Sequence, residues 1–168
     1  MKKLMYLFVL SVLFISCEKE PVVEPDYFKE PVLDWTLNKA GVKSKETRTL
    51  IADRAPSYYV WISDIFESKG SGGLEFGGEI EQLKGVNYDF FSNAETLVQV
   101  SCEFVVNSEI AATLMTFMKK KYGSIYEEQN STDEQKMTWV KPNMTITYTK
   151  NNYYLTIMYR KNPLNQPK

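Results

Sequence analysis

The sequence predicts an α+β fold, an antiparallel sheet of about six strands with two helices on one face. Three observations point there. Residues 96–106 and 144–149 alternate apolar and polar side chains, the period of a half-buried strand. Residues 108–122 place apolar side chains at spacings of three and four, the period of an amphipathic helix. The connections between strand candidates are too short for parallel crossovers, so the pairing should be antiparallel. The order of elements also recurs weakly, which suggests two tandem αβββ units, 32–106 and 107–161, within a single domain over 32–161.

The first helix is expected between Pro31 and Ala52, entered near Trp35 and Thr36. Val42, Leu50 and Ile51 form only a loose stripe, and Gly41 weakens it. Ala55-Pro56-Ser57 should end it. Tyr58 to Ile62 then reads as a strand, with Tyr59 and Trp61 sharing one face. Residues 68–79 hold Gly70, Gly72, Gly73, Gly77 and Gly78. They lack the Lys-Ser/Thr pair of a phosphate loop, and Glu75 and Glu79 would repel phosphate. A loop or loose hairpin tip is expected there, exposing Leu74 and Phe76 to a partner.

Val86–Phe91 and Thr96–Val106 read as strands joined by a turn at 92–95. Val98, Val100, Cys102, Phe104 and Val106 should face the core. Cys102 then reads as a small buried hydrophobe rather than a reactive thiol. The second helix is capped by Asn107 or Ser108. Its stripe is Ile110, Ala111, Leu114, Phe117, Met118 and Tyr122. Lys119–Lys121 suit the negative end of the helix dipole, and Gly123 suits the stop. A polar connection follows, with a short strand at Ile125 and Tyr126. Lys136–Lys141 carries Trp139. Met144, Ile146 and Tyr148 alternate with threonines, and Lys150-Asn151-Asn152 turns the chain into Tyr153–Arg160. Residues 162–168, with Pro163 and Pro167, should fray.

Lys2 and Lys3 precede an apolar run from Leu4 to Ile15, interrupted only by Ser11. A membrane span needs about 20 residues, so this run reads as an export signal over 1–16. Residues 17–31 carry Pro21, Pro25 and Pro31 among acidic residues and read as an extended spacer. The chain has 20 basic and 21 acidic residues, and losing Lys2 and Lys3 takes the balance to −3. Nucleic acid requires a basic face, and nothing of that kind stands out. Histidine is absent, which removes histidine-based triads and histidine-ligated zinc. No metal or other cofactor is expected.

Ser16-Cys17, closing the apolar run and followed by Glu18-Lys19-Glu20, resembles a bacterial lipobox. Phe14 and Ile15 are bulkier than the family's usual residues at those places. Together with the acidic proline spacer, Leu33-Asp34-Trp35 and the Tyr/Trp-rich strands, it resembles the small lipoproteins of Bacteroidetes-type bacteria. The resemblance implies cleavage before Cys17, palmitate-type acylation there, and residence in the cell envelope, most naturally at the outer membrane. The tandem-unit order is similar to that of small bacterial binding and inhibitor lipoproteins and envelope assembly factors.

The function expected is therefore non-catalytic: a tethered module that binds or scaffolds an envelope protein, peptide or glycan. Tyr59, Trp61, Phe91, Trp139 and Tyr154 are the candidate contact residues, because exposed aromatic rings make flat anchors for such partners. An inhibitor that inserts the glycine-rich loop 68–79 is the alternative. A carboxylate-based hydrolase is a weaker one, since no acidic pair has a diagnostic spacing.

Overall fold

Asn38 begins the first helix by capping it: its side-chain oxygen accepts from the Gly41 amide at 2.9 Å. A computed structural model of the chain describes residue 25 and residues 28–57, 71–78, 82–91 and 96–162. Those residues form two α-helices and eight strands. Helix α1 spans Lys39–Lys45 and is much shorter than the 31–52 expected from sequence. Glu46 is already extended, and Thr47, Thr49 and Ile51 favour the strand that follows. That strand, β1 (Leu50–Ser57), takes in the 55–57 segment expected to be a helix end.

Strand β2 (Ser71–Gly77) runs through the glycine-rich stretch that was expected to be a loop. Leu74 and Phe76 are buried in it, 1% and 2% exposed, so neither is a partner-contacting tip. The physical reason is their spacing, which puts both on the same face as Tyr88 and Val86 of β3 (Leu83–Phe91). Gly78 ends the segment where a Cβ would lie 1.5 Å from the Leu83 carbonyl oxygen, a close approach that only glycine tolerates.

Strand β4 (Leu97–Phe104) pairs with β3, and Val100, Cys102 and Phe104 face the core as expected. A register shift between Asp89 and Phe90 brings Leu97, rather than Val98, opposite Phe90. Helix α2 (Ser108–Tyr122) buries the six residues read from its periodicity. Asn107 Oδ1 caps it by accepting from the Glu109 and Ile110 amides, and Gly123 stops it at φ 76°.

The strands β5 (Glu127–Asn130), β6 (Glu134–Val140), β7 (Met144–Asn151) and β8 (Leu155–Lys161) complete the chain. The sheet order is β1-β2-β3-β4-β8-β7-β6-β5, antiparallel throughout. Among the described residues each helix is thus followed by four strands, and the sheet has eight strands rather than six. The strand order reads the same from either edge, with the two halves meeting at β4 and β8.

One face of this sheet is covered. Register places Tyr88, Val100, Tyr159 and Ile146 on it in one transverse row, and Val86, Cys102, Ile157 and Tyr148 in the next. All eight are buried and pack in one core with α2 and with Val42 of α1. Full burial of each large side chain contributes on the order of 1.5–3 kcal/mol.

The covering layer includes residues assigned from sequence to the spacer. Phe28 is 1% exposed, with its ring edge-on to Phe104 at 5.4 Å and to Phe117 at 5.7 Å. Pro31 is also buried. The domain therefore begins before residue 32, because an aromatic ring this well matched to two others outweighs the extended bias of the prolines. Asn162 belongs to the domain too, bonded to Asn143, Lys141 and Thr145. The strand expected at 58–62, the turn at 92–95, the export signal and the remaining tail lie outside the described residues.

Candidate interaction surface

Among the described residues, no helix lies on the opposite face of the sheet. Alternation dictates its composition: every residue between two core residues in a strand must point there. Register aligns three transverse rows. One reads Ala52, Glu75, Asn87, Ser101, Met158, Thr147, Thr138 and Glu127 from β1 to β5. A second centres on Asp89, Gln99, Arg160 and Thr145, and a third on Glu103, Thr156, Thr149 and Lys136. Asn87, Ser101, Met158 and Thr147 are half-buried by their neighbours. The result is a broad surface of hydroxyls, amides and a few charges, with Met158 near its centre.

Hydrogen bonds fix the second row. Arg160 Nη2 and Nε donate to Gln99 Oε1 at 3.1 and 3.3 Å, and Gln99 Nε2 donates to Asp89 Oδ2 at 3.1 Å. Three strands are thereby cross-linked by one relay. Burial raises the Asp89 carboxyl above its ordinary value of 3.8, although the Gln99 bond and the Arg54 charge oppose the shift. Arg54 pairs with Glu75, and Lys84 with Glu103 at 3.3 Å, on the same face. These exposed pairs contribute little stability but fix the direction of the charges.

Of the aromatic residues expected to form a platform, Trp139 and Tyr154 have described side chains, and they lie on different sides. Trp139 is fully buried on the covered side, and its Nε1 donates to the Gly123 carbonyl at 3.0 Å. Position 139 pairs with core residue Ile146, which puts the side chain on the covered side. It is therefore a core residue and is withdrawn as a contact. Tyr154 is 37% exposed, and its hydroxyl donates to Glu134 Oε2 at 2.9 Å. Register puts Glu134 opposite Asn151, in line with Thr149 and Thr147, so Tyr154 borders the open face at the hairpin end. The backbone of Phe91 pairs with Ser71 at the end of β3. Tyr59, Trp61 and Cys17 lie outside the described residues.

Tyr153 is the residue that the periodicity concealed. It is 85% exposed. Asn151 Oδ1 accepts from both the Tyr153 and Tyr154 amides at 2.8 Å, an Asx turn that holds two tyrosines clear of β8. The Asn151-Asn152 turn signal was visible; a strand start at 155 instead of 153 was the missing step.

Other chemistry is structural. Cys102 is free, wholly buried, and has its thiol pKa pushed up by desolvation, so it stays protonated. Glu46 and Arg48 form a buried ion pair at 2.9 Å, and Glu46 also accepts from the Tyr88 hydroxyl. Tyr88 in turn accepts from the Val32 amide at 3.0 Å. Among the described residues, no group of three or more Cys, Asp or Glu side chains is placed to hold a metal ion. No helix among them is long and apolar enough to cross a membrane.

No protein-family model, curated protein or solved structure matches the chain.

Proposed function

We propose that the protein is a lipid-anchored envelope module, held at the outer membrane through Cys17. In this reading it binds a protein, peptide or glycan partner through the open face of its sheet. The observation that carries the binding half is that face itself, with one side of eight strands packed and the other presenting ordered polar groups. Short hydroxyl and amide side chains make many weak, directional contacts with little entropy to lose, as peptide and sugar recognition requires. Tyr153 and Tyr154 add aromatic surface at one end, where a hydroxyl-tipped ring can contact a partner and remain soluble.

The same reading takes the module as non-catalytic. Ser101 is flanked in register by Asn87 and Met158, neither of which can take its proton. A loop-inserting inhibitor loses ground, since residues 71–77 are committed to the sheet.

The tether is tested by feeding labelled palmitate to cells expressing wild type or Cys17→Ala. Label should appear in the first alone. The surface is tested by capture from solubilised envelope with wild type, Ser101→Arg, Thr147→Arg and the helix-side control Lys43→Glu. A partner held by wild type and the control, and lost from both sheet variants, is the expected result. Retention by Ser101→Arg and Thr147→Arg, with folding intact, would remove the open face from consideration.

A further inference from the structure

The two edges of the sheet differ. Strand β1 is interrupted by two register shifts, one between Leu50 and Ala52 and one between Arg54 and Ser57. Pro56 has no amide, and Lys39 Nζ already donates to the Arg54 carbonyl at 2.8 Å. An incoming strand would find few main-chain partners there. Strand β5 is regular: its four residues pair with β6 in unbroken register, and among the described residues no strand covers its outer side. Ser131 donates its amide to the Glu134 carbonyl at 2.8 Å, so its main chain faces β6. Alternation turns Gln129 toward β6 as well, and points the amides and carbonyls of Glu128 and Asn130 away from the sheet.

The side chains of β5 leave that edge open. Gln129 Nε2 donates to Glu127 Oε1 at 2.6 Å, and Asn130 Nδ2 to Glu128 Oε1 at 2.8 Å, which lays all four side chains along their own strand. Register puts Glu127 on the side of the open face, opposite Thr138, and Glu128 on the other side, opposite Met137. Residues 126–135 hold four acidic side chains, Glu127, Glu128, Asp133 and Glu134, and no basic one. Among the described residues none of the four pairs with a cation. Tyr126, 75% exposed, stands directly before the strand.

We propose that the outer edge of β5 takes a basic, extended segment of another protein as an added antiparallel or parallel strand. The outward groups of Glu128 and Asn130 supply the main-chain bonds. Glu127 and Glu128 lie on opposite sides of the edge, so they select basic side chains on both faces of the incoming strand. The Tyr126 ring offers a further contact to a cation. A second copy of this chain is the wrong occupant, because its edge would bring four more carboxylates onto the same seam. The charge that guards the edge against its own copies is thus the charge that selects the partner. The inference needs neither the Cys17 tether nor a ligand on the open face.

The full-length chain in a neutral maltoside detergent is titrated with a capped synthetic peptide of repeated Thr-Lys-Arg. A second peptide has the same sequence with every backbone amide N-methylated, which keeps the charge and removes the main-chain donors. Amide exchange at Glu128 and Asn130, followed by NMR, should slow several-fold with the first peptide and stay unchanged with the second. Asn130→Pro removes one outward amide without touching the bonds to β6, and should weaken binding about ten-fold at an unchanged melting temperature. Glu127→Lys with Glu128→Lys should reverse the preference, toward a peptide of repeated Thr-Glu-Glu. Equal binding of the methylated peptide overturns strand addition and leaves charge attraction alone. Slowed exchange at Ser101 or Thr147 instead, or no binding of either peptide at millimolar concentration, overturns the edge as a site. A peptide-free dimer that protects Glu128 and Asn130 makes the occupant a second copy and overturns the basic partner.

Discussion

Asp89 shows how a single side chain on the open face sets a stability cost. Its carboxyl is raised above 3.8 by burial, the reverse of the usual surface carboxylate. A group whose folded pKa is raised contributes fully below its unfolded pKa, and that contribution is lost as pH rises through the folded value. Arg54 from β1 is the cation acting on it, and Gln99 links it to Arg160 of β8. Asp89→Asn keeps the bond to Gln99 and has no charge to desolvate. The variant should melt higher than wild type at pH 7, by a few degrees, and the gap should close near pH 3. A calorimetric series that shows a constant gap across this range would contradict the assignment. Asp34 has the opposite sign: its bonds to Thr36 and then Lys45 lower it to about 2. Its contribution is present above pH 3.8 and is lost as pH falls through about 2.

At the scale of elements, α2 was legible because cap, stripe and stop agree. Asn107, six apolar residues at helical spacing and Gly123 all point to one segment. Strand β2 was not legible, because glycine signals a loop by propensity while Leu74 and Phe76 earn their place only through pairing with β3. Trp139 was misread for a related reason: alternation assigns a residue to a face, but not which face a helix will cover. The sheet edges carry their own safeguards. Strand β5 exposes Glu127, Glu128, Gln129 and Asn130, and β1 includes Pro56, which has no amide to donate. The segment at 28–37 acts as a further element, a strap held by Phe28, Glu30 and the Tyr88–Val32 bond. Phe28→Ala should destabilise the domain by about 3–5 kcal/mol. Chemical denaturation can measure this. A loss under about 1 kcal/mol would return the segment to the role of a spacer.

At the scale of the molecule, the two halves behave as one body only if the seam between them carries core. It does: Val100 pairs with Tyr159, Cys102 with Ile157, and Phe104 with Leu155, all six buried. The strap strengthens the union, since Phe28 touches both Phe104 of the first half and Phe117 of the second. The repeat of element order was visible in sequence; the seam was not, because no local pattern states that the last strand of each half will pair with its counterpart. A continuous core across a seam implies a single cooperative transition. Ile157→Ala removes a side chain at the centre of that seam and should cost about 2–5 kcal/mol. Its effect should not stay in the second half. Amide exchange of the slowest protons in β3, which never touches β8 in the sheet order, should accelerate by the same factor as in β7, which does. Acceleration confined to β7 and β8 would mean two independently folding halves resting against each other, and the open face would then be two surfaces whose relative position a partner would have to fix.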